Sequence, residues 1–77
     1  MVHAFILVKS APGKDKAVEG EVSKVKGVKE THPVTGPYDL VAIVEVSELK
    51  EIGNLVREKI RVIDGVIETL TLICVSC

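Results

Sequence analysis

Apolar and polar residues follow two different periods along this chain of 77 residues, and the changes of period divide it into six segments. A period of two predicts strands, and apolar residues three or four apart predict amphipathic helices. The predicted strands cover residues 2–9, 28–34, 39–46 and 66–75, and the predicted helices cover residues 14–26 and 47–62. Gly27 and Gly65 stand where the helices are expected to end. The order βαββαβ predicts one α+β domain over residues 1–77, a ferredoxin-like four-stranded antiparallel sheet with both helices on one face.

The alternation along the predicted strands leaves apolar residues on both faces of the sheet. The third strand places Leu40, Ala42, Val44 and Val46 on one face and Val41 and Ile43 on the other, and Ala4, Ile6 and Val8 oppose Phe5 and Leu7 in the first. A sheet with one solvated face would show polar residues there. One face meets the helices, so we expect the other to pack face to face against a second copy, giving a dimeric α+β barrel.

A short internal sequence repeat supports a division of the chain into two βαβ halves. Gly27-Val28-Lys29-Glu30-Thr31 matches Gly65-Val66-Ile67-Glu68-Thr69, and each copy follows a predicted helix and opens a predicted strand. We interpret the match as the trace of a repeated unit.

The amino-acid composition argues against several classes of function, among them nucleic-acid binding and membrane insertion. Ten basic and eleven acidic residues give a formal net charge of -1, and Phe5 and Tyr38 are the only aromatic residues. Direct nucleic-acid binding draws on surplus positive charge and stacking aromatics, so we do not expect it. No segment reaches the roughly 20 apolar residues of a membrane span, and no signal peptide is recognisable. We expect a cytoplasmic protein with no membrane partner, in which Cys74 and Cys77 are free thiols.

The sequence gives only weak evidence for a catalytic or metal site. His3 and His32 have no nucleophile arranged with them in sequence, and Cys74-Val75-Ser76-Cys77 supplies only two of the ligands that a closed zinc site needs. We expect no catalytic residue, metal or cofactor, although a redox or metal role of the two cysteines stays open. Two alternatives also stay open: a small dimeric ferredoxin-like enzyme, for which Asn54 is the one candidate side chain of the usual kind, and a purely structural assembly partner.

The segment Val34-Thr35-Gly36-Pro37-Tyr38-Asp39 is the strongest local signal outside the strands. One interpretation is structural: Gly36 and Pro37 make a turn, Tyr38 covers an edge and Asp39 caps a backbone N–H. The other is a ligand loop, in which Asp39 meets an ammonium group and free backbone N–H groups meet a carboxyl group.

Two motifs give the chain a family resemblance. Val34-Thr35-Gly36-Pro37-Tyr38-Asp39-Leu40 resembles the V-T-G-x-Y-D signature of the Lrp/AsnC (leucine-responsive, feast/famine) regulators, and residues 63–71 resemble the I-x-G-V-x-x-T-x-T ending of their effector-binding RAM domain. The resemblance covers nearly the whole chain. It implies dimers formed by sheet packing, assembly of dimers into rings, commonly octamers, and amino-acid effectors bound between dimers. An ACT-type amino-acid module, which has the same strand order but packs its sheets side by side, is a near alternative.

The resemblance also implies a set of ligand-binding residues. They are Gly36, Pro37, Tyr38 and Asp39 in the loop, Thr69 and Thr71 in the last strand, and Leu55 and Lys59 on the second helix. Family regulators carry an N-terminal helix-turn-helix, whereas this sequence opens on the first strand. The resemblance therefore implies a stand-alone module that acts on transcription by associating with full-length Lrp/AsnC regulators.

Overall fold

The computed structural model describes residues 1–77 and has the predicted order of elements. The strands are β1 (Val2–Ser10), β2 (Val28–Pro33), β3 (Leu40–Val46) and β4 (Val66–Ile73), and the α-helices are α1 (Asp15–Ser23) and α2 (Leu49–Leu55). The strands form one antiparallel sheet in the order β2-β3-β1-β4. This is the ferredoxin-like arrangement, so the predicted fold class is confirmed.

The helices differ from the predicted segments mainly at their ends. α1 ends at Ser23, three residues short of the prediction. α2 begins after Glu48, whose backbone N–H donates to Oε2 of Glu51 at 2.8 Å. It continues as a π-helical turn over Val56–Ile60, which the N–H of Arg61 closes by donating to the carbonyl of Val56 at 2.8 Å. The buried residues Ile52, Val56 and Ile60 are four positions apart, a spacing that a regular α-helix also shows, so periodicity does not reveal this wider turn.

The apolar core lies between the helices and one face of the sheet. β3 alternates strictly between buried and half-buried positions, as the sequence predicts. The fully or nearly buried core residues are Ala4, Ile6, Val8, Val18, Val22, Leu40, Ala42, Val44, Val46, Ile52, Leu55, Val56 and Ile60. Leu49 shares the expected apolar face of α2 but is 60% exposed, because it stands at the first position of the helix.

The other face of the sheet carries a continuous apolar surface, which we call the open face. Leu7 pairs with Val41 on one side and Leu70 on the other, and Phe5 pairs with Ile43 and Leu72. The six residues of the open face are therefore Phe5, Leu7, Val41, Ile43, Leu70 and Leu72. Leu70 and Leu72 are 43% and 46% exposed. No helix of the chain lies over this face.

Gly27 and Gly65 occupy equivalent positions in the two halves. Both have positive φ, 104° and 98°, in the loop that leads from a helical segment into a strand. A Cβ at Gly27 would meet Leu55 at 2.9 Å, and one at Gly65 would meet Val18 at 3.0 Å. Each glycine thus lies against the helix of the opposite half, which agrees with the repeat that the sequence indicates.

The C-terminal cysteines differ from the sequence-based expectation. Cys74 and Cys77 form a disulfide, with their Cα atoms 5.9 Å apart, so the prediction of free thiols is wrong for this structure. The chain turns after β4, and this brings the two residues within the distance that a disulfide spans. The N–H of Cys74 donates to the carbonyl of His3 at 2.9 Å, which fixes the turn beside β1.

The helices of the chain fall short of the length and apolar content that a membrane span requires.

Candidate functional site

The loop between β2 and β3, residues 34–39, is closed by backbone hydrogen bonds. The N–H of Val34 donates to the carbonyl of Asp39 at 3.0 Å, and the N–H of Asp39 donates to the carbonyl of Val8 at 2.9 Å. Gly36 has φ of +138°, in the region that favours glycine. The N–H groups of Gly36 and Tyr38 donate no backbone hydrogen bond, so they are free to meet an oxygen of a ligand.

Asp39 joins this loop to the end of β1. Its Oδ2 accepts hydrogen bonds from the N–H of Ser10 at 2.9 Å and from the Ser10 hydroxyl at 3.3 Å. The carboxylate therefore caps a backbone N–H, as the structural interpretation of the motif predicts. Both hydrogen bonds reach the same oxygen, so Oδ1 can still accept a bond from an ammonium group.

Tyr38 reaches across the end of the sheet to β4. Its phenol donates to Oε2 of Glu68 at 3.0 Å, in a hydrogen bond that lies at the exposed surface. This hydrogen bond, with smaller contributions from desolvation and the negative charge of Glu68, raises the pKa of Tyr38 above its ordinary value. Glu68 is not among the predicted site residues. The sequence carries no signal for it, because its contact with Tyr38 joins residues 30 positions apart and depends on how the strands are placed.

Thr69 and Thr71 lie on the helix-facing side of β4. They pair with Val8 and Ile6, whose side chains are buried in the core, and both threonines are half-buried. Thr71 lines a groove of about 340 Å³ between the α2 segment and β4, together with Arg57 and Arg61.

Leu55 and Lys59 lie away from the threonines. Leu55 is 7% exposed and belongs to the core, where it lies against Gly27. Lys59 is exposed and borders a different groove, which Leu55 and Gly27 also line. Within one chain neither residue lines the groove of Thr71, so their role in ligand binding stays a prediction.

One chain therefore brings the loop and Thr69 to the same end of the sheet, with Tyr38 and Thr69 on opposite faces, whereas Thr71 lies near the middle of the sheet. Leu40, directly after the loop, and Thr69 both pair with Val8 of β1, whereas Tyr38 hydrogen-bonds Glu68, whose side chain points away from the core. A ligand that contacts both sets must lie at the sheet edge or between chains. The arrangement offers hydroxyls, free N–H groups and one carboxylate oxygen, all of which can form hydrogen bonds to a small polar ligand. No group of three or more His, Cys, Asp or Glu residues could hold a metal ion.

Comparison with protein families gives a match over nearly the full length. Residues 3–76 match the family model described as the Lrp/AsnC ligand-binding domain. The chain is 36% identical over 73 residues to an uncharacterised helix-turn-helix transcriptional regulator of Pyrococcus furiosus, an alignment that covers 91% of this chain and 49% of the regulator. The chain thus spans about half the length of the curated regulators it matches.

The chain is also similar to two further proteins, to one over nearly the whole length of that protein and to the other over a small part of it. A solved structure from Thermus thermophilus superposes with a TM-score of 0.95 at 32% identity and covers 100% of this chain and 96% of that one. Over 55 residues the chain is also 38% identical to a homocitrate synthase of Sulfurisphaera tokodaii, an alignment that covers 71% of this chain but 12% of that enzyme.

Proposed function

The chain belongs to the Lrp/AsnC ligand-binding domain family, and from that membership we propose that it is an effector-binding module that binds small amino acids between subunits. We further propose that it modulates transcription by associating with full-length Lrp/AsnC regulators, in which the same type of domain follows a DNA-binding segment. Membership supports a regulatory rather than a catalytic role, and the likeness to homocitrate synthase is confined to a small part of that enzyme.

The loop of residues 34–39 carries the amino-acid proposal. Two hydrogen bonds from Ser10 hold the Asp39 carboxylate in place, and its Oδ1 is open to an ammonium group. The unpaired N–H groups of Gly36 and Tyr38 lie in the same loop and suit a carboxylate. An amino acid presents these two groups on one carbon atom, so a loop that offers both partners fits it.

The position of Thr69 and Thr71 supports a ligand site between subunits. Their side chains lie on the face opposite to Tyr38 and Glu68, Thr69 at the same end of the sheet and Thr71 nearer its middle. We propose that the loop of one subunit and the threonines of a neighbour form one cleft, with Pro37 and Tyr38 as its wall. Leu55 and Lys59 remain proposed contacts of the effector side chain from an adjoining subunit.

The open face supports a homodimer as the unit of assembly. Six apolar side chains form one surface, and complete burial of an exposed side chain of this kind contributes roughly 1.5–3 kcal/mol, of which each half-buried residue still has a part to gain. We propose that two chains pack these faces together and that dimers then assemble into a ring, an octamer by the family resemblance. Mixed oligomers with a full-length regulator would use the same surfaces.

A melting screen tests the proposed ligand. A ligand that binds only the folded state raises the melting temperature. We expect one or a few free amino acids to do so, and we expect Asp39→Asn to abolish the rise while the variant still folds. If every amino acid leaves the melting temperature unchanged, the chain is a structural assembly partner and the effector role is wrong.

A pull-down tests the proposed partner. A tagged full-length Lrp/AsnC regulator, mixed and refolded with this chain, is expected to retain it. Absence of mixed oligomers at concentrations where each protein self-assembles would exclude action through such a regulator.

A further inference from the structure

The groove between β4 and the α2 segment combines apolar walls with positive charge. Leu49, Ile52, Val56 and Ile73 supply the apolar part, and Gly53, Thr71, Arg57 and Arg61 complete the lining. The groove is open to solvent and has a volume of about 340 Å³, and no acidic residue lines it. Two larger grooves of the chain both contain carboxylates beside their lysines.

Both arginines of the chain lie in this groove, and neither forms an ion pair. The ion pairs of the chain are made by lysines and histidines. Arg57 donates through Nη2 to the neutral amide oxygen of Asn54 at 2.9 Å. A guanidinium carries several N–H donors in a fixed fork, so most of the hydrogen-bonding capacity of the pair is unused.

The local backbone fixes where the two arginines stand. Val56 and Ile60 are 9% and 0% exposed and anchor the π-helical turn in the core. Arg57 and Arg61 follow these anchors by one residue each, which puts both at the rim of the groove that Thr71 lines from the sheet. The packing of Val56 and Ile60 in the core therefore fixes the backbone positions of the two arginines.

We propose that this groove binds the carboxylate end of a small aliphatic acid, with the guanidinium groups of Arg57 and Arg61 on the carboxylate and the aliphatic chain on Leu49 and Ile73, which are 60% and 41% exposed. A guanidinium matches the geometry of a carboxylate with paired hydrogen bonds. Apolar walls with a few polar groups are typical of sites for small organic ligands. The apolar walls would not favour the binding of inorganic phosphate, which has no aliphatic part. The hydroxyl of Thr71 supplies one further hydrogen-bond donor to the carboxylate.

The inference goes beyond the proposed function because it assigns a second site: in the loop of residues 34–39 the carboxylate of an amino acid would meet the free N–H groups of Gly36 and Tyr38 instead. A ligand with a cationic end group would stand beside two arginines with no acidic residue in the lining to offset them.

Three related probes test the groove on the full chain by NMR titration. Leucine carries a carboxylate and an ammonium group, 4-methylpentanoate carries the carboxylate alone, and leucinamide carries the ammonium alone. We expect leucine and 4-methylpentanoate to shift the signals of Val56, Thr71 and Ile73, and leucinamide and inorganic phosphate to leave them unchanged. The double variant Arg57→Gln/Arg61→Gln is expected to weaken 4-methylpentanoate binding at least about tenfold, because hydrogen bonds to charged groups are lost.

Lys50→Gln is the matched control, since it removes a positive charge from α2 outside the groove and should leave the affinity unchanged. Circular dichroism establishes that each variant is folded. Equal effects of leucinamide and 4-methylpentanoate, or an unchanged affinity in the double arginine variant, would overturn the inference. Amino-acid binding that shifts only the loop of residues 34–39 would overturn it while leaving the proposed function intact. Arginine-dependent binding of 4-methylpentanoate without binding of any amino acid would retain the groove and reject the proposed function.

Discussion

The carboxylate of Asp39 accepts a hydrogen bond from the backbone N–H of Ser10 at 2.9 Å, across 29 positions of the sequence. This bond ties the start of β3 to the end of β1, where the pairing of β1 with β4 shifts register between Lys9 and Ser10. The irregular end of β1 leaves the Ser10 N–H without a strand partner, and Asp39 supplies the acceptor. One side chain thus serves the fold and stands in the loop proposed to bind a ligand.

Replacing Asp39 should separate these two roles. Asp39→Ala removes the acceptor of a partly buried N–H and is expected to lower the free energy of unfolding by about 1–3 kcal/mol. Asp39→Asn keeps an oxygen acceptor but loses the negative charge, so we expect it to retain most of the stability while losing amino-acid binding. Urea denaturation measures the first effect and calorimetric titration the second.

Asp64→Ala is the control for these variants. Asp64 forms an exposed ion pair with Lys14 at 3.2 Å and should contribute less than about 1 kcal/mol. If Asp39→Ala is no more destabilising than Asp64→Ala, the bond to Ser10 does not stabilise the fold.

The hydrogen bond from Tyr38 to Glu68 should appear in a pH titration. Tyr38 is the only tyrosine and the chain has no tryptophan, so ultraviolet absorbance reports this phenol alone. Glu68 raises the pKa of Tyr38 above the ordinary value of about 10. Because the folded-state pKa lies above the unfolded one, the bond stabilises the fold below about pH 10 and ceases to do so as the pH rises through the folded-state pKa.

Glu68→Gln is expected to return the pKa of Tyr38 towards its ordinary value, because both the acceptor charge and its repulsion of the phenolate are removed. Glu58→Gln, on the exposed side of the π-helical turn, should leave it unchanged. Equal titration curves for the parent protein and Glu68→Gln would show that the bond is absent in solution.

The strands of the sheet could be predicted from the sequence, because their period of two is visible among neighbouring residues. Residues 40–46 alternate with a period of two, and the burial of β3 follows that alternation without exception. Gly27 and Gly65 likewise mark the ends of helical segments, since few other residues adopt the positive φ needed there.

The candidate site could be predicted only in part, because its geometry depends on pairing between distant strands. Sequence spacing places Thr69 and Thr71 on one face of their strand, but not on the face opposite to Tyr38, which follows from the bond to Glu68. The arginine groove depends on a π-helical turn that periodicity does not show. The cysteines allow either redox state at their spacing, so the disulfide could not be inferred.

Gly27 and Gly65, which have positive φ and lie against the helix of the opposite half, should be intolerant of a side chain. Gly65→Ala would impose a left-handed conformation on alanine and bring its Cβ within 3.0 Å of Val18. We expect it to lower the free energy of unfolding by roughly 1–3 kcal/mol. Gly20→Ala, in α1 with nothing within 4 Å of the added Cβ, should raise it by up to about 1 kcal/mol. Thermal denaturation of both variants measures the difference, and a stabilising Gly65→Ala would contradict the close approach of the two halves.

Charge on the open face should separate the proposed dimer. Leu70 and Leu72 lie on the edge strand β4 beside Leu7 and Phe5 of β1, and they are the most exposed members of the open face. Leu70→Glu would bury a carboxylate opposite apolar residues of the second sheet, which costs far more than the interface gains from one leucine. We expect this variant to elute as a folded monomer in size-exclusion chromatography with light scattering, at concentrations where the parent protein is dimeric or larger. Val62→Glu adds the same charge at a position that is 69% exposed and outside the open face, and it should leave the molar mass unchanged. An assembly that persists in Leu70→Glu would mean that the chains meet through their sheet edges or helices, as in a side-by-side arrangement, and that the open face is not the dimer interface.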